Sequence, residues 1–237
     1  MRRFSIIISI LLIMPVIIPY SVFAQPTDFE VDILWEAVNS YTPPFYKGKA
    51  MAPLEANINV VAIPTGIPLS DATYVWEKDN QRQPGQSGRN KNSFGYIGNP
   101  IDQQNSIAVT VSPSSGSFEE RRVTNINYRN SEVLFYQNDD RFGILFNKNI
   151  KNGHVVGDSK KISLAAIPYF LSTDSLDSKS VEMLWSVNNA SLPEQKVKNK
   201  ILLEGQSGLN GESIISIFIK NKTRIFEEGR VGISLQF

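Results

Sequence analysis

The sequence predicts an all-β protein, two β-sandwiches in tandem behind an N-terminal export signal. Three observations predict it: an internal repeat, apolar residues alternating with period two, and clusters of turn formers between the alternating runs.

The chain opens Met1-Arg2-Arg3, continues as an apolar run from Phe4 to Ile18, and reaches Val22-Phe23-Ala24 before Gln25. A basic start, an apolar stretch too short to span a bilayer comfortably, and small residues ahead of Gln25 describe a cleaved secretory signal over residues 1–24. The competing reading is an uncleaved anchor, in which case the N-terminal segment is the membrane contact. Either way the expected location is extracytoplasmic, secreted or at the cell surface. Removing Arg2 and Arg3 leaves 22 basic and 23 acidic residues. A near-neutral chain without a basic run argues against nucleic acid as a partner. There is no cysteine, so the domains must be held by their cores alone.

The repeat sets the domains. Ile33-Leu34-Trp35 resembles Val133-Leu134-Phe135, and Ile58 to Pro64 resembles Ile162 to Pro168. Tyr74-Val75-Trp76 resembles Met183-Leu184-Trp185, and Ile107, Val109 and Val111 match Ile215, Ile217 and Ile219. Phe118-Glu119-Glu120 matches Phe226-Glu227-Glu228, and Val123 matches Val231. The offset drifts from 100 to 109, as loops change length and strands do not. The expected domains are residues 25–130 and 131–237, joined by a link near Arg129, Asn130 and Ser131 that is too short for a free tether.

The elements follow in order. Ile58, Val60 and Ala62 alternate with their neighbours, as do Ile162, Leu164 and Ala166, so one face of each strand meets a core. Ile107 to Val111 and Val231 to Phe237 alternate likewise, and these runs are rich in β-branched residues. Pro113-Ser114-Ser115-Gly116, Asn80 to Gly88, Asn152-Gly153 and Asn188-Asn189 supply turns. Trp35, Trp76 and Trp185 stand in these strands and are expected in the core.

On Tyr74-Val75-Trp76 and Leu184-Trp185, and on the closing pairs of strands that begin with Ile107–Val111 and Ile215–Ile219, the chain resembles the immunoglobulin-like and PKD-like modules of bacterial surface proteins. It departs from true immunoglobulin domains in having no disulfide and no tyrosine just before the Ile107 or Ile215 run. The resemblance implies spacing, display or adhesion, with other surface proteins or glycans as partners.

The chemistry-bearing residues are few. His154 is the sole histidine and sits in a turn-like Asn152-Gly153-His154, so neither a histidine base nor a zinc site is supplied, and no cofactor or metal is expected. Paired carboxylates recur at Glu119-Glu120 and Glu227-Glu228, with Asp139-Asp140 in the second repeat. Calcium at such turns is the alternative to a solvated charged hairpin. A glycan-cleaving enzyme would need two of these acids about 5–9 Å apart in one cleft. The expectation is a non-enzymatic module. The alternating run to Phe237 also resembles the last strand of a membrane barrel, but the strands are short for that purpose.

The most distinctive stretch is Tyr41-Thr42-Pro43-Pro44-Phe45-Tyr46-Lys47-Gly48-Lys49, with an aromatic counterpart in Arg141 to Asn147. Tyr41, Phe45 and Tyr46 are the candidate ligand-binding residues, for a carbohydrate or a partner protein. The other reading is a plug over the end of the sandwich. It predicts a buried Phe45 and at least one exposed tyrosine.

Overall fold

The structure is a computed structural model and describes residues 29–116, 118–193, 195–206 and 210–237. The signal reading of residues 1–24 lies outside the described residues. Two β-sandwiches follow one another along the chain.

In the first, alternation places Ile58, Val60 and Ala62 of β3 (Asn57–Pro64) inward. β1 (Val31–Val38) and β7 (Ser93–Ile97) flank β3 in a three-stranded sheet of order β1-β3-β7. The facing sheet holds β2 (Ala52–Pro53), β4 (Ala72–Lys78), β5 (Gln81–Arg82), β8 (Gln104–Pro113) and β9 (Glu120–Arg129) in the order β2-β9-β8-β4-β5, with β6 (Gly88–Arg89) also paired to β4. The core between the sheets is built on Tyr74, Trp76, Phe94, Ile107, Val109 and Ile126.

The second sandwich repeats the plan with one addition. β10 (Glu132–Asp139), β11 (Gly143–Ile150), β13 (Lys161–Tyr169) and β16 (Lys200–Glu204) form a sheet of order β11-β10-β13-β16. β12 (Gly153–Val155), β14 (Val181–Val187), β15 (Ala190–Ser191), β17 (Glu212–Asn221) and β18 (Arg224–Gln236) form the other, of order β12-β18-β17-β14-β15. The alternating C-terminal run is the core face of β18, with Ile233 and Leu235 buried. That run closes a sandwich rather than a barrel.

The ladders show which parts of the repeat hold. Trp76 lies opposite Val109 and Trp185 opposite Ile217, so the two tryptophans are equivalent. Both are buried, and each donates its indole N–H to a backbone oxygen, that of Lys91 at 2.9 Å and that of Lys198 at 2.8 Å. The ends of the repeat are corrected. Val31 faces Pro64 and Val133 faces Pro168, so Ile33 matches Phe135, two residues further on than the sequence match. An even slip keeps the same face inward, which is why alternation could not expose it. On the last strand the error is odd. Val123 faces Ala108 while Gly232 faces Ser216, so Val123 matches Gly232 and not Val231, and Phe118 does not match Phe226. Beyond the equivalent pairs Val111–Glu120 and Ile219–Gly229, the β17–β18 connection is one residue longer than that of β8–β9, and one residue flips every side chain. Val123 and Phe226 are each 50% exposed, whereas Phe118 meets Phe29 edge-on at 4.7 Å.

Two smaller expectations change. His154 is in β12, opposite Leu235 of β18 and half-buried, rather than in a turn. Trp35 is only half-buried, because β1 is the outermost strand of its sheet and its inner side opens toward Thr124 of β9.

Candidate functional site

The segment after β1 leaves its own sandwich. Asn39 turns the chain with a left-handed φ of 63°, a conformation asparagine tolerates. Ser40 then bridges Ser172, and the Tyr41 N–H donates to the Leu171 oxygen at 2.8 Å. The Tyr41 ring, half-buried, packs against the second sandwich's main core and against the smaller cluster of Tyr136, Ala165 and Ile167. Burial raises its hydroxyl above the ordinary tyrosine value, and the nearby charge of Asp177 adds to the effect. Pro43 is buried behind it. This is a strap from one sandwich to the other.

The tip of the strap turns outward. The Tyr46 N–H donates to the Pro43 oxygen at 3.2 Å, closing a tight turn whose central residues are Pro44 and Phe45. Phe45 has a φ of 66° and is 89% exposed. The expected burial of Phe45 is therefore wrong. Tyr41 and Pro43 take the buried places because the segment docks sideways on the second sandwich, and the turn throws the next ring into solvent. Tyr46 is exposed at its rim, meets the Tyr169 ring edge-on at 6.2 Å, and donates its hydroxyl to the Lys49 oxygen. The three candidate residues are thus not one platform: Tyr41 is committed to packing, Tyr46 is partly so, and Phe45 projects alone. The strap ends with the Lys49 ammonium 3.4 Å above the Trp35 ring, a cation–π contact.

The acceptor on the second sandwich is built around a residue whose structural role the sequence hid. Glu227 is buried, accepting the Ser172 N–H and the Ser172 hydroxyl, both at 2.6 Å. Asn221, also buried, donates to the Ser172 oxygen at 2.7 Å. Burial pushes the Glu227 carboxyl above its ordinary value, with the Ser172 hydrogen bonds pulling the other way. Two further bonds cross nearby: the Phe226 N–H to Glu55 at 3.0 Å and Arg224 to Asn57 at 3.3 Å. In the sequence Glu227 looked like one of a pair of surface acids. Its parity is that of Val231, Ile233 and Leu235, so the alternation of β18 turns it inward.

Two of the other paired acids are engaged locally. Glu120 pairs with Arg122 at 3.3 Å, and Asp139 accepts the N–H groups of Arg141 and Phe142, which lowers its carboxyl. Among the described residues, no three His, Asp or Glu side chains converge as metal ligands would. A polar knot on the first sandwich has buried Asn105 at its centre, accepting from the Tyr128 hydroxyl at 2.6 Å and donating to Asp79 and Asp102. Burial holds Tyr128 up at about 12 and Tyr96 higher still, so both stay neutral and structural.

The aromatic counterpart of the strap behaves differently. In the second sandwich the chain turns back after β10 and lies along it as β11, pairing Phe135 with Ile150 and Asp139 with Gly143. Ile144 and Phe146 pack against Tyr136, and Phe142 at the turn is 80% exposed. Among the described residues the first sandwich has no such strand. Pro43 and Pro44 lack the N–H groups a ladder needs, and their segment is occupied elsewhere.

No family model matches this chain, and none of the curated proteins does. Among solved structures it is similar to the three N-terminal domains of the bacteriophage RB49 highly immunogenic outer capsid protein, at 13% identity and a TM-score of 0.47. That match covers 88% of this chain, which spans 59% of the other. The fibronectin(III)-like modules of Clostridium thermocellum CbhA match at 11% identity and a TM-score of 0.31, over 87% of this chain and 93% of theirs. The mouse nectin-like molecule 4 ectodomain matches at 10% and 0.29, over 88% of this chain and 62% of its own.

Proposed function

We propose that this chain is a non-enzymatic module of the cell exterior whose task is to hold what it carries at a fixed spacing and orientation. The observation that carries the reading is the strap. A spacer made of two sandwiches on a short link needs something to stop the link from bending. Ser40, Tyr41 and Pro43 supply it by leaving the first sandwich and docking on the second, where Glu227 and Asn221 have fixed Ser172 to receive them. The engagement of the acids supports the non-catalytic reading. Glu77, Glu120, Glu182 and Glu204 are each ion-paired, and Glu227 is hydrogen-bonded in the interior.

The test has two arms. Cell fractionation with N-terminal sequencing should find a chain beginning at Gln25 outside the cytoplasm. A chain that keeps Met1 in the membrane fraction would mean an anchored module, and a cytoplasmic one would end the proposal. NMR relaxation should show both sandwiches tumbling as one body, and Tyr41→Ala should uncouple them. Independent tumbling of the unaltered chain would show that the strap does not stiffen the link.

One observation favours a second reading, a binding subunit that uses the tip of the strap. A bulky residue at positive φ, 89% exposed and next to two prolines, is costly unless the ring has a use. Phe45 would then be the anchor for a partner protein or a sugar ring, with Tyr46 beside it.

A further inference from the structure

β1 is an edge strand with an open ladder. Asp32, Leu34, Glu36 and Val38 stand opposite Ile63, Val61, Asn59 and Asn57 of β3. The Ala62 N–H bonds away from β1, to Asn92, and Pro64 has no N–H to give Val31. The hydrogen-bonded positions of β1 are therefore the even-numbered ones. Its odd-numbered residues turn their backbone groups off the sheet, as the Val31 oxygen shows by accepting from Arg122. The N–H and C=O of Ile33 and Trp35 have no backbone partner among the described residues. Neither bulge nor proline interrupts β1, and its only charged residues are the acids Asp32 and Glu36 on one face. Leu34 is 59% exposed, and Ile33 and Trp35 line a groove with Leu34, Val61, Thr124 and Lys49.

The second sandwich shows what such an edge takes. By ladder position Ile33 matches Phe135 and Ala37 matches Asp139, the stretch of β10 along which β11 lies antiparallel. β11 is apolar at Ile144, Leu145, Phe146 and Ile150, and carries a lysine, Lys148, and no acid. Charge points the same way. Asp32 and Glu36 flank Leu34 on the outer face of β1, both exposed and neither ion-paired among the described residues. A second copy of β1 would bring Asp32 and Glu36 against their own kind, which is unfavourable for directly opposed residues.

We propose that the β1 edge is a strand-acceptor site, filled by an extended segment of a partner protein in which apolar residues alternate with basic ones. The added strand takes the place that β11 holds in the second sandwich. Its backbone completes the ladder at Ile33 and Trp35, its basic side chains face Asp32 and Glu36 with their aliphatic stems over Leu34, and its apolar side chains cover the Trp35 groove on the other face. This site is separate from the strap's stiffening role and stands whether or not that role does.

The probe is a capped peptide of alternating Lys and Val, as long as β1, added to the chain as exported, with amide hydrogen exchange read by NMR. Exchange at Ile33 and Trp35 should slow by about tenfold or more, while amides of β3 hold steady. A Glu-Val peptide should do nothing. Glu36→Lys, a surface change that leaves the core alone, should weaken the Lys-Val peptide by about fivefold. Ile33→Pro should abolish its binding, since that N–H is used only by the incoming strand. Equal protection by both peptides, or protection at other residues, overturns the proposal. So does protection of Ile33 and Trp35 in the peptide-free protein. If that protection grows with protein concentration, the occupant is a second copy instead.

Discussion

The surroundings of Phe45 and of Glu227 contradict their residue types. Phe45 is an aromatic in water on left-handed backbone, so its ring adds nothing to the fold and its φ subtracts. Phe45→Ala should leave stability within about half a kcal/mol, because alanine meets the same steric cost. Phe45→Gly should raise it by up to about 1 kcal/mol, since glycine alone escapes that cost. A loss near the roughly 3 kcal/mol of a buried aromatic, measured by chemical denaturation, would mean that the ring packs in solution. Glu227 is an acid in the interior, and its carboxyl titrates above the ordinary 4.5. The folded chain therefore holds this proton over a window in which the unfolded chain has lost it. The group's contribution favours folding below the ordinary value and is lost as pH rises through the raised one. Glu227→Gln abolishes that titration. Relative to the parent, the variant should gain stability between acid and neutral pH, followed by denaturation at several pH values. A parallel pair of pH profiles would show that Glu227 titrates normally.

At the scale of elements, Trp76 and Trp185 occupy equivalent places and should be equally costly to lose. Either one changed to Ala should cost about 3–5 kcal/mol, combining a cavity with an orphaned carbonyl at Lys91 or Lys198. A small loss at either, in an unfolding titration, would break the equivalence. These central strands were legible in the sequence because alternation and a buried tryptophan both depend on local spacing. The ends of the repeat were not. The two-residue slip of β1 preserves every face and leaves no trace in a pattern of period two. The one residue that the β17–β18 connection has beyond that of β8–β9 lies at an irregular turn, and the Ser172 groups that hold Glu227 are 55 residues away in the chain. The candidate site was half legible. Pro43 and Pro44 announced that the segment would not be a strand, but only the tertiary contacts of Tyr41 say where it goes. The difference between a strap in one sandwich and β11 in the other is written in that proline pair.

At the scale of the whole molecule, β1 runs toward the junction and β18 runs away from it, so Val31 and Gln236 mark opposite ends. The Ser40–Ser172 bridge gives the two bodies a second connection beside Asn130 and Ser131. That arrangement has a mechanical consequence. A pull between the ends loads the eight-position β1–β3 ladder and the longer β17–β18 ladder along their strands. All the bonds of a ladder then resist together instead of opening one after another. The few bonds of the strap stand outside both ladders and have no such company. Optical tweezers should record a small early yield, absent in Tyr41→Ala, followed by two large ruptures. A first rupture as large as the other two would place the strap among the strong elements. The asymmetry makes the junction a fuse: tension spends itself on a contact that can re-form when the load falls, before either core is opened to water.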